Sequence, residues 1–182
     1  MYREIVAAGY GGQGALMIGE FLALAGMEEN FNATWVPTYG QEKRGGDANA
    51  SVILSKEEIV LPIIENPHIL LSMNEKSIHR WGPEVREGGA ILYNSSLIKE
   101  VKDMVVVAYA IPCNEIAKKV GSEKVANIVL MGAYLAFDEV VKIDTVKNII
   151  KDKISTKNES LLLQNINAFE AGIEYFRKSA NK

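Results

Sequence analysis

Four glycines within six residues, Gly9-Tyr10-Gly11-Gly12-Gln13-Gly14, separate a short apolar run, Ile5 to Ala8, from a run of helix formers, Ala15 to Glu28. A glycine-rich turn between a buried strand and a helix is the opening of an α/β unit, and it forces the chain to reverse tightly at the end of a sheet. Gly9, Gly11 and Gly14 also fit the G-x-G-x-x-G spacing, in which backbone N–H groups and a helix N-terminus approach a phosphate. The same glycines are equally what a tight strand-to-helix turn without a ligand requires. Gln13 adds a side-chain amide able to donate to an oxygen.

A dinucleotide fold also wants a carboxylate at the end of the second strand, about 20 residues on, for the adenosine ribose. The second strand is expected over Ala33–Val36 and stops at Pro37, and it ends Trp35-Val36-Pro37-Thr38 with no acid. Glu28 and Glu29 precede that strand, at the end of the first helix. A nicotinamide-dependent dehydrogenase is therefore disfavoured.

Composition narrows the classes further. A chain of 182 residues suits one well-buried domain, and a net charge of -3 argues against a nucleic-acid partner. Cys113 is the single cysteine, so this chain by itself holds neither a disulfide nor an iron–sulfur cluster. His68 and His79 lie far apart without metal-ligand spacing, and no catalytic Ser-His-Asp set or metal site is expected. Cys113 follows Pro112 at a helix start, with no base evident beside it. No apolar run reaches the roughly 18–20 residues that span a bilayer, and Met1-Tyr2-Arg3-Glu4 has no apolar signal core. The expected location is the cytoplasm.

From Thr38 to Asp47 the chain is polar and glycine-rich, and is read as a loop. Within it Glu42, Lys43 and Arg44 are either a solvated tip or a surface facing a partner or a phosphate, with Arg44 offering a bidentate fork. Gly45 and Gly46 permit a close backbone approach, and Tyr39 is placed to stack on a ring or to pack beneath the loop. Further strands are expected at Ala48–Leu54, Ile69–Met73, Ala90–Tyr93 and Met104–Ala108, with a short helix at Glu75–Trp81 ended by Gly82-Pro83. The C-terminal half reads as helical. Pro112 starts one helix and Gly121 stops it, Val125–Phe137 is apolar nearly all round, and Asp144 is the expected N-cap of a third. Leu162, Ile166, Phe169, Ile173 and Phe176 form an amphipathic stripe on the last. The fold class is α/β: a single Rossmann-like three-layer domain over residues 1–182, with a largely parallel or mixed sheet and a helical C-terminal region.

The glycine turn, the loop Thr38-Tyr39-Gly40-Gln41-Glu42-Lys43-Arg44-Gly45-Gly46, and Ser55 and Ile59 with Pro62 together resemble one family: the gamma subunit of 2-oxoacid:ferredoxin oxidoreductases. The resemblance continues through Pro67-His68-Ile69-Leu70, Ile111-Pro112 and Val125-Ala126-Asn127-Ile128, covering about residues 3 to 175. The last two segments are most similar to the 2-oxoglutarate-type branch of the pyruvate, 2-ketoisovalerate and 2-oxoglutarate group. Gln41 stands where the family commonly has proline, and His68 where aspartate is usual.

The resemblance implies a complex that oxidatively decarboxylates a 2-oxoacid to an acyl-CoA and passes electrons to ferredoxin. It places thiamine diphosphate, magnesium and iron–sulfur clusters on partner subunits, alpha and beta, with delta as a further candidate. This chain is then an accessory subunit, inactive alone, that helps assembly and coenzyme A binding. Gly11, Gly12, Gln13 and Gly14 become candidate contacts for a coenzyme A phosphate, and Tyr39, Glu42, Arg44, Gly45 and Gly46 a loop facing a partner or coenzyme A. A stand-alone Rossmann-type nucleotide- or coenzyme A-binding protein and a purely structural assembly domain remain the alternatives. Exposed apolar helices would favour self-association in the absence of partners.

Overall fold

The computed structural model describes residues 1–40, 45–102, 104–154 and 159–180. Its strands are β1 (Tyr2–Tyr10), β2 (Asn32–Tyr39), β3 (Asp47–Ser55), β4 (Ile69–Ser72), β5 (Ala90–Asn94) and β6 (Val107–Ile111). Its helices are α1 (Ala15–Glu28), α2 (Glu75–Trp81), α3 (Cys113–Lys119), α4 (Ala126–Phe137), α5 (Ile143–Ile154) and α6 (Glu159–Ala180). The strands form one mixed sheet in the order β2-β3-β1-β4-β5-β6.

β1 lies at the centre because its residues suit burial on both faces. Ile5 and Ala7 enter one core cluster and Val6 and Ala8 the other, the period of two that a strand imposes. Strands β4 and β5 repeat the split, with Leu71 and Leu92 on one side and Leu70 and Ile91 on the other. β1, β4, β5 and β6 are parallel neighbours, so their C-terminal ends share one edge of the sheet. β3 runs antiparallel to β1 and to β2. The β1-α1-β2 unit thus straddles an intervening antiparallel strand, whereas a dinucleotide-binding unit pairs its first two strands directly. β2, the strand that would carry a ribose carboxylate, is not β1's neighbour.

The two faces are unequally covered. α1, α4, α5 and α6 enclose the larger cluster. Among the described residues, the other face carries α2, a 3-10 turn at Gly82–Glu84, and the stretches 56–68, 95–102 and 104–106, whose inward residues include Ile64 and Ile98. Helix α4, apolar nearly all round, is buried on almost every side and crosses α6 at very short range. There a Cβ on Gly132 would strike the Phe169 carbonyl, and one on Gly172 the Val129 carbonyl.

Several boundaries depart from the sequence reading. β1 runs from Tyr2 to Tyr10, beyond the expected Ile5–Ala8, and takes Gly9 and Tyr10 into the sheet opposite Ala48 and Asp47. β2 does not stop at Pro37 but runs on to Tyr39, with Pro37 opposite Ala50. As an edge strand it tolerates a residue without an N–H. The expected loop over 38–47 is correspondingly shorter, since Thr38, Tyr39 and Asp47 pair in the sheet. The last strand is Val107–Ile111, not Met104–Ala108, because Met104 and Val106 pack onto the thin face before pairing with β5 begins. Asp144 lies in the first turn of α5, which starts at Ile143, so it does not stand before the helix.

Candidate functional site

The glycine turn follows β1 at the edge where the parallel strands end. Between β1 and β4 the chain direction across the sheet reverses, from the β2–β3 side to the β5–β6 side. Such switch points leave a crevice at the carboxyl ends of the strands, where α/β proteins place ligands. The β2–β3 hairpin opens at the same edge, since Tyr10 pairs with Asp47 and Tyr39 with Ala48.

The two loops meet. Gly11 donates its N–H to the carbonyl of Gly46 at 2.8 Å, and Gly40 donates to the Asp47 carbonyl at 2.6 Å. The turn and the base of the second loop therefore form one rim. Gly45 carries φ +70 on that rim, and the Tyr39 side chain is 65% exposed. Gln41, Glu42, Lys43 and Arg44 lie outside the described residues, so the readings of Glu42 and Arg44 stay with the sequence.

Gln13 fastens the turn from below. Its Oε1 accepts from the Tyr10 N–H at 2.7 Å and from Asn74 Nδ2 at 3.2 Å, and its Nε2 donates to the Met73 carbonyl at 3.3 Å. Asn74 in turn caps α2, its Oδ1 accepting from the Ser77 N–H at 2.8 Å. The Gln13 amide thus spans the switch point from the end of β1 to the end of β4, and its carbonyl end is turned into the protein. Gly14 has φ +78 and stands at the N-cap of α1. A side chain there would collide with the Asn127 amide, whose Nδ2 donates to the Gly14 carbonyl at 3.2 Å.

Neither Asn74 nor Asn127 was a candidate in the sequence reading. Asn74 immediately precedes the expected helix at Glu75, which is an N-cap signal. Asn127 is a buried polar residue in an otherwise apolar helix, which is the kind of position that needs a hydrogen-bond partner.

Gly14 supplies no side-chain cap and the first turn of α1 holds no acid, so α1 itself puts no carboxylate against its positive end. Lys76 and Arg80 of α2 line a cleft of about 30 Å³ beside Gly9, with Lys76 paired to Asp47 at 2.8 Å. That cleft has room for one or two water-sized groups, so a larger ligand would lie across the open rim.

The other candidates lie elsewhere. Cys113 is fully buried at the start of α3, and burial pushes its thiol far above the usual range, so it is not a nucleophile. His79 is exposed on α2 beside Glu75 at 3.9 Å. His68 belongs to a network at the opposite end of β1. Its Nδ1 accepts from the Glu4 N–H at 3.1 Å, its Nε2 lies 3.2 Å from Arg86 Nη1, and Arg86 pairs with Glu4. Burial first, then the Arg86 and Arg3 guanidiniums, lower the His68 pKa to about 4. Among the described residues no cluster of His, Cys, Asp or Glu could hold a metal ion, and no helix is long and apolar enough to cross a membrane.

Comparison with known proteins places this geometry. Residues 4–175 match the family described as pyruvate ferredoxin/flavodoxin oxidoreductase. The chain belongs to that family. The ketoisovalerate oxidoreductase subunit VorA of Methanothermobacter marburgensis is 33% identical over 98% of this chain, which spans 38% of that relative's length. The 2-oxoglutarate synthase subunit KorC of the same organism is 32% identical over 96% of both chains. Among solved structures, the 2-oxoglutarate:ferredoxin oxidoreductase of Magnetococcus marinus, with 2-oxoglutarate, coenzyme A and succinyl-CoA bound, is 26% identical with a TM-score of 0.89. The match covers 97% of this chain and 31% of that one. The family therefore carries this fold both as a separate chain of similar length and as a part of a longer polypeptide.

Proposed function

We propose that this chain is the gamma subunit of a 2-oxoacid:ferredoxin oxidoreductase, and that its glycine rim receives a phosphate of coenzyme A in the assembled enzyme. The complex oxidatively decarboxylates a 2-oxoacid to the acyl-CoA and reduces ferredoxin. Thiamine diphosphate, magnesium and iron–sulfur clusters reside on companion subunits, in keeping with a chain whose one cysteine is buried. 2-Oxoglutarate is the first substrate to try, because a relative of matching length at 32% identity is a 2-oxoglutarate synthase subunit.

The observation that carries the ligand reading is the Gly11–Gly46 hydrogen bond, which joins the two glycine loops into one rim at the switch point of the sheet. Gly11 commits its N–H to the Gly46 carbonyl, so the backbone of Gly12 and Gly14 would face the phosphate together with the first N–H groups of α1. Gln13 acts from below by holding the turn, and Tyr39, Gly45 and Gly46 form the far side of the rim. Coenzyme A supplies the thiol that accepts the acyl group, and this chain orients the nucleotide end without touching the reacting carbon.

Affinity purification of the chain from its native cell tests the reading. The expected result is recovery of thiamine- and cluster-bearing companions, with ferredoxin reduction that depends on a 2-oxoacid and coenzyme A, and no turnover by the isolated chain. Recovery without such companions, or turnover by the chain alone, would contradict it.

A further inference from the structure

The thin face of the sheet carries an apolar surface that neither the fold nor the glycine rim accounts for. Residues 59–64 run without helix or strand, and Ile59 and Ile64 turn inward onto the cluster of Val6, Ile53 and Leu70. Between them the side chains turn outward: Val60 is 90% exposed, Leu61 62% and Ile63 59%, with Pro62 also exposed. Four consecutive apolar residues held against water are not the pattern of a free surface. The neighbouring segment on the same face repeats it: Ile98 and Val106 turn inward, while Leu97 and Val105 are exposed.

The immediate flanks of the segment are acidic, with Glu57, Glu58 and Glu65 exposed. Two described cations beside them are engaged elsewhere: Lys56 Nζ donates to the Glu29 carbonyl at 2.9 Å and lies 3.5 Å above the Phe31 ring, and Arg86 donates to the Asn66 carbonyl and pairs with Glu4. A surface that is apolar in the middle and acidic at its edges complements an apolar hollow rimmed by Lys or Arg.

We infer that residues 59–64 are the clip by which this chain docks on its companion polypeptide, the one corresponding to the part of the ketoisovalerate oxidoreductase subunit outside the 38% that this chain matches. In that longer relative the two parts share one polypeptide. In a separate chain, the surface between them has to hold without a covalent link. The inference rests on the functional reading above and specifies which surface performs the assembly.

The test uses the full chain, co-expressed with its companion subunits, and follows backbone hydrogen exchange of residues 59–64 in the isolated and assembled states. The double variant Leu61→Asp/Ile63→Asp and the triple variant Glu57→Lys/Glu58→Lys/Glu65→Lys are compared with wild type. The expected result is slowed exchange at 59–64 on assembly and about tenfold or greater loss of companion recovery in the double variant. Its thermal melt should stay cooperative, and the triple variant should lose recovery most at low salt. Unchanged exchange at 59–64 in an assembled wild-type complex would overturn the clip while leaving the functional reading intact. Protection of 59–64 in the isolated chain by a dimer that the double variant abolishes would overturn it in favour of a second copy. Failure of wild type to recover any thiamine- or cluster-bearing companion would overturn the functional reading itself. If the double variant fails to fold, the wild-type exchange measurement decides.

Discussion

Gly14 and Asn127, 113 residues apart, are locked together: the asparagine amide donates to the glycine carbonyl and occupies the space a Cβ at Gly14 would need. This contact fixes the first residue of the α1 cap against the first turn of α4, and so sets the height of the glycine turn over the sheet. Gly14→Ala meets both that collision and an unfavourable left-handed backbone, and should cost about 1–3 kcal/mol in urea unfolding. Asn127→Ala removes the hydrogen bond and should cost about 1 kcal/mol. Because it also removes the obstruction, the double variant should be more stable than the sum of the two penalties predicts. Additive penalties would mean that the two residues do not meet.

Gln13→Glu tests the staple beneath the turn. A carboxylate still accepts from Tyr10 and Asn74, but it faces the Met73 carbonyl with no proton to donate. The expected cost is about 1–2 kcal/mol, accompanied by faster hydrogen exchange at Tyr10–Gly14 and at the start of α2. Exchange confined to the turn, with α2 unaffected, would remove Asn74 from the network.

The α4–α6 crossing makes a sharper stability prediction. Gly132→Ala gains about 1 kcal/mol of helix propensity, yet drives a methyl group into the Phe169 carbonyl. The net effect should be destabilising by about 2 kcal/mol or more, read as a lowered thermal midpoint. A neutral or raised midpoint would show that α4 and α6 do not approach so closely.

His68 should make stability fall in acid. Its folded pKa of about 4 lies below the ordinary 6.5, so between these values the unfolded chain binds the extra proton. The contribution is fully present above pH 6.5, is lost as pH falls through this window, and amounts to about 2–3 kcal/mol. His68→Asn, compared with wild type in urea at pH 7 and pH 4.5, should flatten that part of the profile. An unchanged slope would assign the acid sensitivity to other groups.

Much of the architecture was legible from local pattern. Ile5–Ala8, the glycines and Ala15–Glu28 announce a strand, turn and helix because apolar burial, positive φ and helix propensity each leave their own mark. Glu75–Trp81 and the stripe from Leu162 to Phe176 were equally readable. The separation of β1 from β2 by β3 was not, because strand order is decided by which sheet edge the hairpin occupies and has no local signature. Pro37 misdirected the end of β2 for the same reason: its cost depends on whether the strand is at an edge. At the site the glycines were visible, but the supports were not. The pairing of Gln13 with Met73 and Asn74, and that of Gly14 with Asn127, span long stretches of chain and exist only once the sheet is assembled. The folded amide of Gln13 also works beneath the rim, where the residue type alone suggested a ligand donor.

The central claim is that the joined rim at Gly11 and Gly46 holds a coenzyme A phosphate. Hydrogen exchange across Gly11–Met17 in the assembled complex, with and without coenzyme A, tests it most directly. The account predicts slowed exchange there on coenzyme A addition, an effect that free inorganic phosphate weakly reproduces and Gly12→Glu abolishes while the complex stays intact. Exchange at these amides that is unchanged by saturating coenzyme A would contradict it.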